Sequence, residues 1–303
     1  MTSGHRRRQT NKLGPEALLA YGLVGPSILL MAGLILFPLL HAFWTSLHRV
    51  NFLFPGEPFI GFNNYLQMAT SPEFWDSVGR TAYFTVVSIL SQTILGIAIA
   101  HLLNRRFLAR PVVRTLFLLP WAVPTIVNGT LWRWILDGST GALNHLLMQI
   151  GFIDRNIIWL GKPFLAMNMI IMADTWKMLP LYAIMFLAGL QTIPDELYDA
   201  AKADGARAWQ VFRYVTLPSL KSVILVVLIL RTLQTFRVFD IIFVMTHGGP
   251  ANGTMVVTFL TYLTTFKFQN FGYGAAMAFF IGATCLALAW MYIRILRSGG
   301  EPV

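Results

Sequence analysis

Residues 18–40 run for 23 positions without one charged side chain. Comparable apolar stretches recur at about 81–103, 115–135, 164–188, 222–244 and 272–293. A helix rises 1.5 Å per residue, so about 20 apolar residues cross a hydrocarbon core roughly 30 Å thick. Six stretches of this length predict an all-α, polytopic membrane protein with six transmembrane helices. Several contain helix breakers: Gly25, Pro26 and Pro38 in the first, Pro120 and Pro124 in the third, Pro180 in the fourth. Spanning helices tolerate these better than soluble helices do. Composition agrees, with 56% hydrophobic and 12% charged residues, where soluble domains carry about a quarter charged. The single cysteine excludes an intramolecular disulfide.

A formal charge of +10 raises nucleic acid as a partner for a soluble chain. Here the bases are scattered over short loops, and no nucleic-acid role is expected. They read instead as topology. With the N-terminus in the cytoplasm, the inner segments hold Arg6, Arg7, Arg8, Lys12, Arg105, Arg106, Arg110, Arg114, Lys202, Arg207, Arg213, Lys221, Arg294 and Arg297, which is 14 of 23 bases. Outer segments and adjoining span ends hold six, and Lys177, Arg231 and Arg237 lie within spans. The positive-inside rule then puts both termini in the cytoplasm, where the bases also match anionic membrane lipid. The basic start "MTSGHRRRQTNKLG" has the outline of a secretory signal, but the apolar run behind it is longer than a signal core and no small-residue cleavage site follows. It reads as a retained first span. The organisation expected is a cytoplasmic tail at 1–17, a membrane domain at 18–297 with a cytoplasmic loop at about 189–221, and a tail at 298–303.

Two segments between spans stand out. Residues 54–84, rich in turn formers and aromatics, predict short interfacial helices, either a connector on the membrane surface or an outer docking face. Residues 199–218, "DAAKADGARAWQVFRYVTLP", place two acids and three bases between very apolar runs. Thr192 is positioned to cap a helix, with Pro194 near its first turn. Asp195, Glu196 and Asp199 favour the positive helix end, and Arg207 and Arg213 lie later. Leu197, Ala201, Gly205, Ala208 and Phe212 follow helical spacing on one side, with Gly205 in mid-helix at a cost of about 1 kcal/mol against alanine. A tight bend or close approach of another helix compensates such a glycine. Pro218 marks a break before the fifth span. Two roles stay open on these grounds: an amphipathic helix resting on the bilayer, or a rigid knob seated in a cytoplasmic partner.

The spacing Asp199-Ala200-Ala201, three residues, Gly205, nine residues, Val215, one residue, Leu217-Pro218 resembles the signature cytoplasmic loop of bacterial ABC importer permeases, with Asp199 where glutamate is common. Asp204-Gly205-Ala206 is similar to the form found in sugar permeases. "GFNNY" at 61–65, "LPWAVPTIVNGTLWRWILDGSTGALN" at 119–144, "FRVFDIIFVMTHGGPANGT" at 236–254 and "FGYGAAMAF" at 271–279 resemble other elements of that family. The likeness covers most of 18–297 and is nearest to six-span subunits of carbohydrate and glycerol-phosphate importers. It implies the type I importer permease fold and a machine of several parts. A second, related permease completes the pathway, two copies of a cytoplasmic ATPase drive it, and an extracytoplasmic solute-binding protein delivers a carbohydrate or polyol. It implies residence in the bacterial inner membrane. It also implies that the loop docks on the ATPase through Asp199, Ala200, Ala201, Asp204, Gly205 and Arg207, the two charged ends Asp199 and Arg207 offering charge-assisted contacts.

The chain has no GxxxxGK[ST] phosphate loop, so ATP hydrolysis is expected of the partner and not of this polypeptide. HExxH, CxxC and GxSxG are also missing from the sequence, and His5, His41, His48, His101, His145 and His247 lack metal-ligand spacing. No cofactor or metal is expected. A base at a helix centre costs about 2.5–3.5 kcal/mol on insertion scales, so charges in spans normally face protein or water. Asp174 and Lys177, three apart, are spaced to pair, as are Arg237 and Asp240, with Gln234 and Arg231 one and two turns before. These six either lock helices together or form a polar strip for solute hydroxyls. Trp132, Trp134 and Trp176 are belt residues or stacking platforms. An ion-coupled secondary transporter or a non-transporting assembly subunit accounts for the spans too. Neither accounts for the loop, and no inverted repeat of the secondary-transporter kind is evident.

Overall fold

The computed structural model describes residues 15–105 and 107–298. The parts of the expected tails at 1–14 and 299–303, with Arg6, Arg7, Arg8 and Lys12, lie outside the described residues, as do Arg106 and the side chain of Arg297. In chain order the helices are α1 (Pro15–Ser46), α2 (Asn63–Thr70), α3 (Pro72–Asn104), α4 (Arg110–Phe117), α5 (Leu119–Ala122), α6 (Thr125–Ile135), α7 (Ala142–Gln149), α8 (Pro163–Leu190), α9 (Asp195–Ala203), α10 (Ala208–Val211), α11 (Leu217–Ser219), α12 (Lys221–Thr235), α13 (Asp240–Met245), α14 (Val257–Tyr262) and α15 (Phe271–Ser298). π-helical turns at Phe212–Thr216 and Leu263–Lys267 follow α10 and α14. Among the described residues the only β pairing is two isolated bridges, His48 with Phe59 and Asn51 with Asn270.

Among the described residues four helices are long and apolar enough to cross a membrane: Tyr21–Ser46, Pro72–Asn104, Pro163–Leu190 and Phe271–Ile295. The protein is therefore all-α and polytopic, with four clear spans and up to six if each of two bent helix pairs counts as one. The third and fifth stretches do not form the single helices expected of them. Arg110–Ala122 and Thr125–Ile135 meet at 92°. Val123 and Pro124 are extended at the break, with ψ 128 and 143, because a proline ring disfavours helical geometry in the residue before it. The expected fifth helix is interrupted at 236–239, between α12 and α13. Its α12 part has 15 residues, about 22 Å at 1.5 Å per residue, short of the roughly 30 Å core. A 64° bend separates Ala208–Ser219 from Lys221–Thr235, two residues beyond Pro218.

α3 and α8 pack along their length, where Gly96 lets the chains approach: a Cβ there would meet the Phe186 ring at 3.0 Å, the small-residue contact typical of membrane helices. Two apolar clusters form. One gathers Phe74, Phe84, Ile170, Ile241, Ile242 and Met277, among others. The other, nearer the 195–219 segment, gathers Ile97, Ala100, Tyr182, Phe186, Leu220 and Val227. Buried polar side chains on α3, α8 and α12 lie between them in sequence: Gln92, Asp174, Thr175, Arg231 and Thr235. At the far end, Asn64 of α2 donates to the Ser46 and His48 carbonyls at 2.8 and 3.0 Å, tying the 54–70 region onto the end of α1. That region holds one short helix, α2, before α3 begins.

Candidate functional site

The segment after α8 forms two short helices and a turn. Thr192 does not cap: its hydroxyl donates back to the Gly189 carbonyl at 2.8 Å, and Pro194 occupies the N-cap of α9. Asp195 and Glu196 fill the first turn of α9, where carboxylates suit the exposed N–H groups. Gly205 is not in mid-helix. α9 ends at Ala203, and Gly205 adopts φ +73 just past it. Its N–H reaches the Lys202 carbonyl at 3.0 Å, and the Ala206 N–H reaches that of Ala201 at 2.9 Å. This paired reversal is the Schellman ending, in which glycine takes the left-handed position without a Cβ penalty. The tight bend, and not a helix crossing, is the compensation: among the described residues, its chain neighbours aside, nothing lies within 4 Å of a Cβ built there. Arg207 precedes α10, its N–H donating to Gln210 Oε1 at 2.7 Å. Asp199, Ala200, Asp204 and Arg207 are exposed and Ala201 is half-buried. Asp199 pairs with Lys202 at 2.9 Å, and this contact raises the Lys202 pKa. Leu197, Trp209 and Tyr214 are exposed on the same segment, an unusual concentration of apolar surface on a charged loop.

The charged residues of the spans converge elsewhere. A cavity of about 500 Å³ is lined by all six of those singled out, Asp174, Lys177, Arg231, Gln234, Arg237 and Asp240, together with Phe84, Trp121, Thr125 and Phe239. Their pairing differs from the expectation. Asp174 pairs with Arg231 of α12 and not with Lys177, and it also accepts from Gln92 Nε2 at 3.1 Å. The pair is buried, Asp174 at 8% exposure and Arg231 at 4%. Lys177 instead donates to Thr125 Oγ1 at 2.9 Å. Arg237 donates to the Leu233 carbonyl at 3.0 Å, and no ion pair joins it to Asp240 among the described residues. Asp240 opens α13, where a carboxylate suits the exposed N–H groups. Tyr182 donates to Gln234 Oε1 at 2.9 Å, and its ring lies 5.9 Å from the Arg231 guanidinium. Of the tryptophans, Trp132 and Trp176 face each other edge-on at 5.8 Å and Trp134 is exposed. None of the three lines the cavity, whose tryptophan is Trp121.

A family model, the binding-protein-dependent transport system inner membrane component, matches residues 92–298. The chain belongs to that family of ABC importer permeases. The trehalose/maltose transport system permease protein MalF of Thermococcus litoralis is 39% identical to this permease over 282 residues, 93% of this chain and 95% of that protein. The sulfoquinovosyl glycerol transport system permease protein SmoG of Agrobacterium fabrum is 35% identical over 285 residues, 93% and 92% of the two chains. A chain in the crystal structure of a bacterial ABC transporter involved in the import of the acidic polysaccharide alginate superposes with a TM-score of 0.82 at 22% identity, over 94% of this chain and 97% of that one. That likeness establishes the fold. The protein is a multi-pass membrane permease subunit, homologous to ABC-type carbohydrate importers and carrying no nucleotide-binding motif of its own. In the broader family such subunits are coupled to an ATPase system. Sequence reasoning missed three groups in this permease: Gln92, Thr125 and Tyr182. Each is neutral, and each partners a charged or polar group that had been singled out. A polar residue in a run such as 81–103, which has no formal charge, was the available signal for Gln92.

Proposed function

We propose that this permease forms half of the translocation pathway of an ATP-driven importer for a carbohydrate or polyol, of the maltose, trehalose or glycerol-phosphate kind. The observation that carries the reading is a covalent one. The exposed α9–α10 segment is the direct connection between α8 and α12, and both helices line the charged cavity. A push on that segment therefore acts on the cavity walls. In this reading Asp199, Ala200, Ala201, Asp204, Gly205 and Arg207 dock on a cytoplasmic ATPase present in two copies, and the coupling region spans 195–213. Asp174, Lys177, Arg231, Gln234, Arg237 and Asp240 serve the pathway, two of them as a helix lock. A second, related permease faces the cavity, and a solute-binding protein delivers from outside. The membrane domain occupies 18–297 with six crossings of the bacterial inner membrane and both termini in the cytoplasm.

The test is uptake by the complex isolated with its partners and rebuilt in proteoliposomes. Radiolabelled trehalose, maltose and glycerol 3-phosphate are offered with receptor, once with ATP available to the ATPase and once with a proton gradient alone. Uptake of one of them that requires ATP supports the reading. Uptake driven by the proton gradient without any ATPase contradicts it.

A further inference from the structure

Thr125 is the first residue of α6, directly after the Val123–Pro124 step at which the third span turns by 92°. Most threonines in the surrounding helices return their hydroxyl to the carbonyl four residues back: Thr130 to Ile126, Thr232 to Leu228, Thr261 to Val257. Thr125 does not. Its Oγ1 accepts from Lys177 Nζ at 2.9 Å. That bond lies on the cavity lining, beside a second tie between the same helices, Asn128 Nδ2 donating to the Ala173 carbonyl at 3.2 Å. On one side stands the broken span. On the other stands α8, tied to α12 by the buried Asp174–Arg231 pair and by Tyr182 on Gln234. α8 and α12 are the two helices that flank the 195–219 segment, so the Lys177–Thr125 bond joins the wall directly connected to that segment to the broken span.

We infer that the Lys177–Thr125 hydrogen bond is a latch on the pathway, and that a hydroxyl of the entering solute releases it by replacing Thr125 Oγ1 as the acceptor for Lys177. This rests on the cavity being the solute path. The chemistry fits a polyhydroxylated solute. A solute hydroxyl and a threonine hydroxyl are the same kind of acceptor, so Lys177 keeps a hydrogen bond through the exchange, and Thr125, half-buried on the cavity lining, is left facing the cavity contents. The neighbouring carboxylates do not offer the ammonium an easy alternative. Asp174 acts on its charge but is already engaged by Arg231 and Gln92, and Asp240 acts on it without a direct bond. Lys177 is thereby poised to report occupancy: with solute bound, the α8–α12 wall loses its side-chain tie to Thr125 and is held to the broken span by packing and the Asn128–Ala173 bond alone.

The test uses the complete complex in proteoliposomes with unloaded receptor, so that no solute has to be known. Thr125→Val keeps the shape and removes the acceptor, and Lys177→Met removes the donor from the other side. The latch predicts that both raise ATP hydrolysis in the absence of solute, by about tenfold for the loss of one charge-assisted bond from the resting state. Thr125→Ser, which restores an acceptor, brings the rate most of the way back. Complexes of normal subunit ratio in which both Thr125→Val and Lys177→Met hydrolyse at the wild-type basal rate overturn the latch and leave the importer reading standing. A chain that purifies without any ATPase overturns the importer reading first.

Discussion

Removing the carboxylate of Asp174 is expected to do more damage than removing its partner. The Asp174 and Arg231 side chains are 11% and 5% exposed and lie 57 positions apart on α8 and α12. Breaking a buried pair strands the surviving charge and costs about 3–5 kcal/mol, whereas replacing both partners with apolar groups of similar volume is often close to neutral. The surroundings make the two single changes unequal. Arg231→Met leaves Asp174 with the Gln92 amide at 3.1 Å and with the Lys177 ammonium one turn along its own helix. Asp174→Asn leaves Arg231 and Lys177 on one cavity wall with Asp240 as the remaining carboxylate of the lining. We therefore expect Arg231→Met to cost about 3 kcal/mol, Asp174→Asn nearer 5, and the double change Asp174→Asn with Arg231→Met at least 2 less than the sum of the singles. Equilibrium unfolding of the purified permease in mixed micelles, run as a double-mutant cycle, reads all three. Additive single effects, or a harmless Asp174→Asn, refute the idea that this pair locks the two helices flanking the coupling segment.

Gly205 sits at φ +73 with open space around it, so the cost of a side chain is backbone strain alone. Gly205→Val is expected to cost at least about 1 kcal/mol, and Gly205→Asn, which tolerates that conformation, distinctly less. ATPase co-purification should fall with Val and largely persist with Asn. A Cβ at Gly189 would meet Val223 Cγ2 at 2.8 Å and Leu220 Cδ2 at 2.9 Å. Gly189→Val is thus expected to destabilise the fold by about 1–3 kcal/mol through overpacking, seen as a lower melting temperature by intrinsic fluorescence. The Asp137 carboxylate accepts from the Ser139 and Thr140 N–H groups at 2.9 and 2.8 Å and from both hydroxyls, which hold its pKa well below the usual carboxylate range. A depressed folded-state pKa contributes order above the ordinary value near 4 that is lost only as the pH falls through the lower, folded one. The 137–140 turn should therefore resist proteolysis down to pH values where ordinary carboxylates are already protonated, and Asp137→Ala, which removes the acceptor of all four bonds, should be nicked there even at neutral pH.

The parts of this fold that hydropathy could carry were legible. The first, second, fourth and sixth stretches became long helices because an apolar run needs no partner to become a span. The third and fifth did not, because hydropathy measures length and says nothing of direction. The run around Pro124 is apolar on both sides of a 92° turn, and the apolar residues of 236–239 continue past the end of α12 without continuing its helix. The identity of the cavity residues was visible as charge in an apolar context, but their partners were not. Spacing along one helix suggested Asp174 with Lys177, while the pairing that forms crosses from α8 to α12 and depends on packing. Gly205 shows the same limit locally. Its neighbours have helical spacing, and only the Ala206-to-Ala201 and Gly205-to-Lys202 bonds reveal an ending where a continuation was expected.

The central claim is that the 195–213 segment carries force between an ATPase and the cavity. The most direct test places a cysteine at exposed Ala200, in a chain whose one natural cysteine, Cys285, is changed to alanine, and treats native membranes with a short thiol-to-amine crosslinker. The account predicts a crosslinked species containing the permease and the ATPase, whose yield changes when ATP analogues close the ATPase dimer. A cysteine at position 200 that labels freely from the cytoplasm, but never joins an ATPase and does not respond to nucleotide, contradicts it.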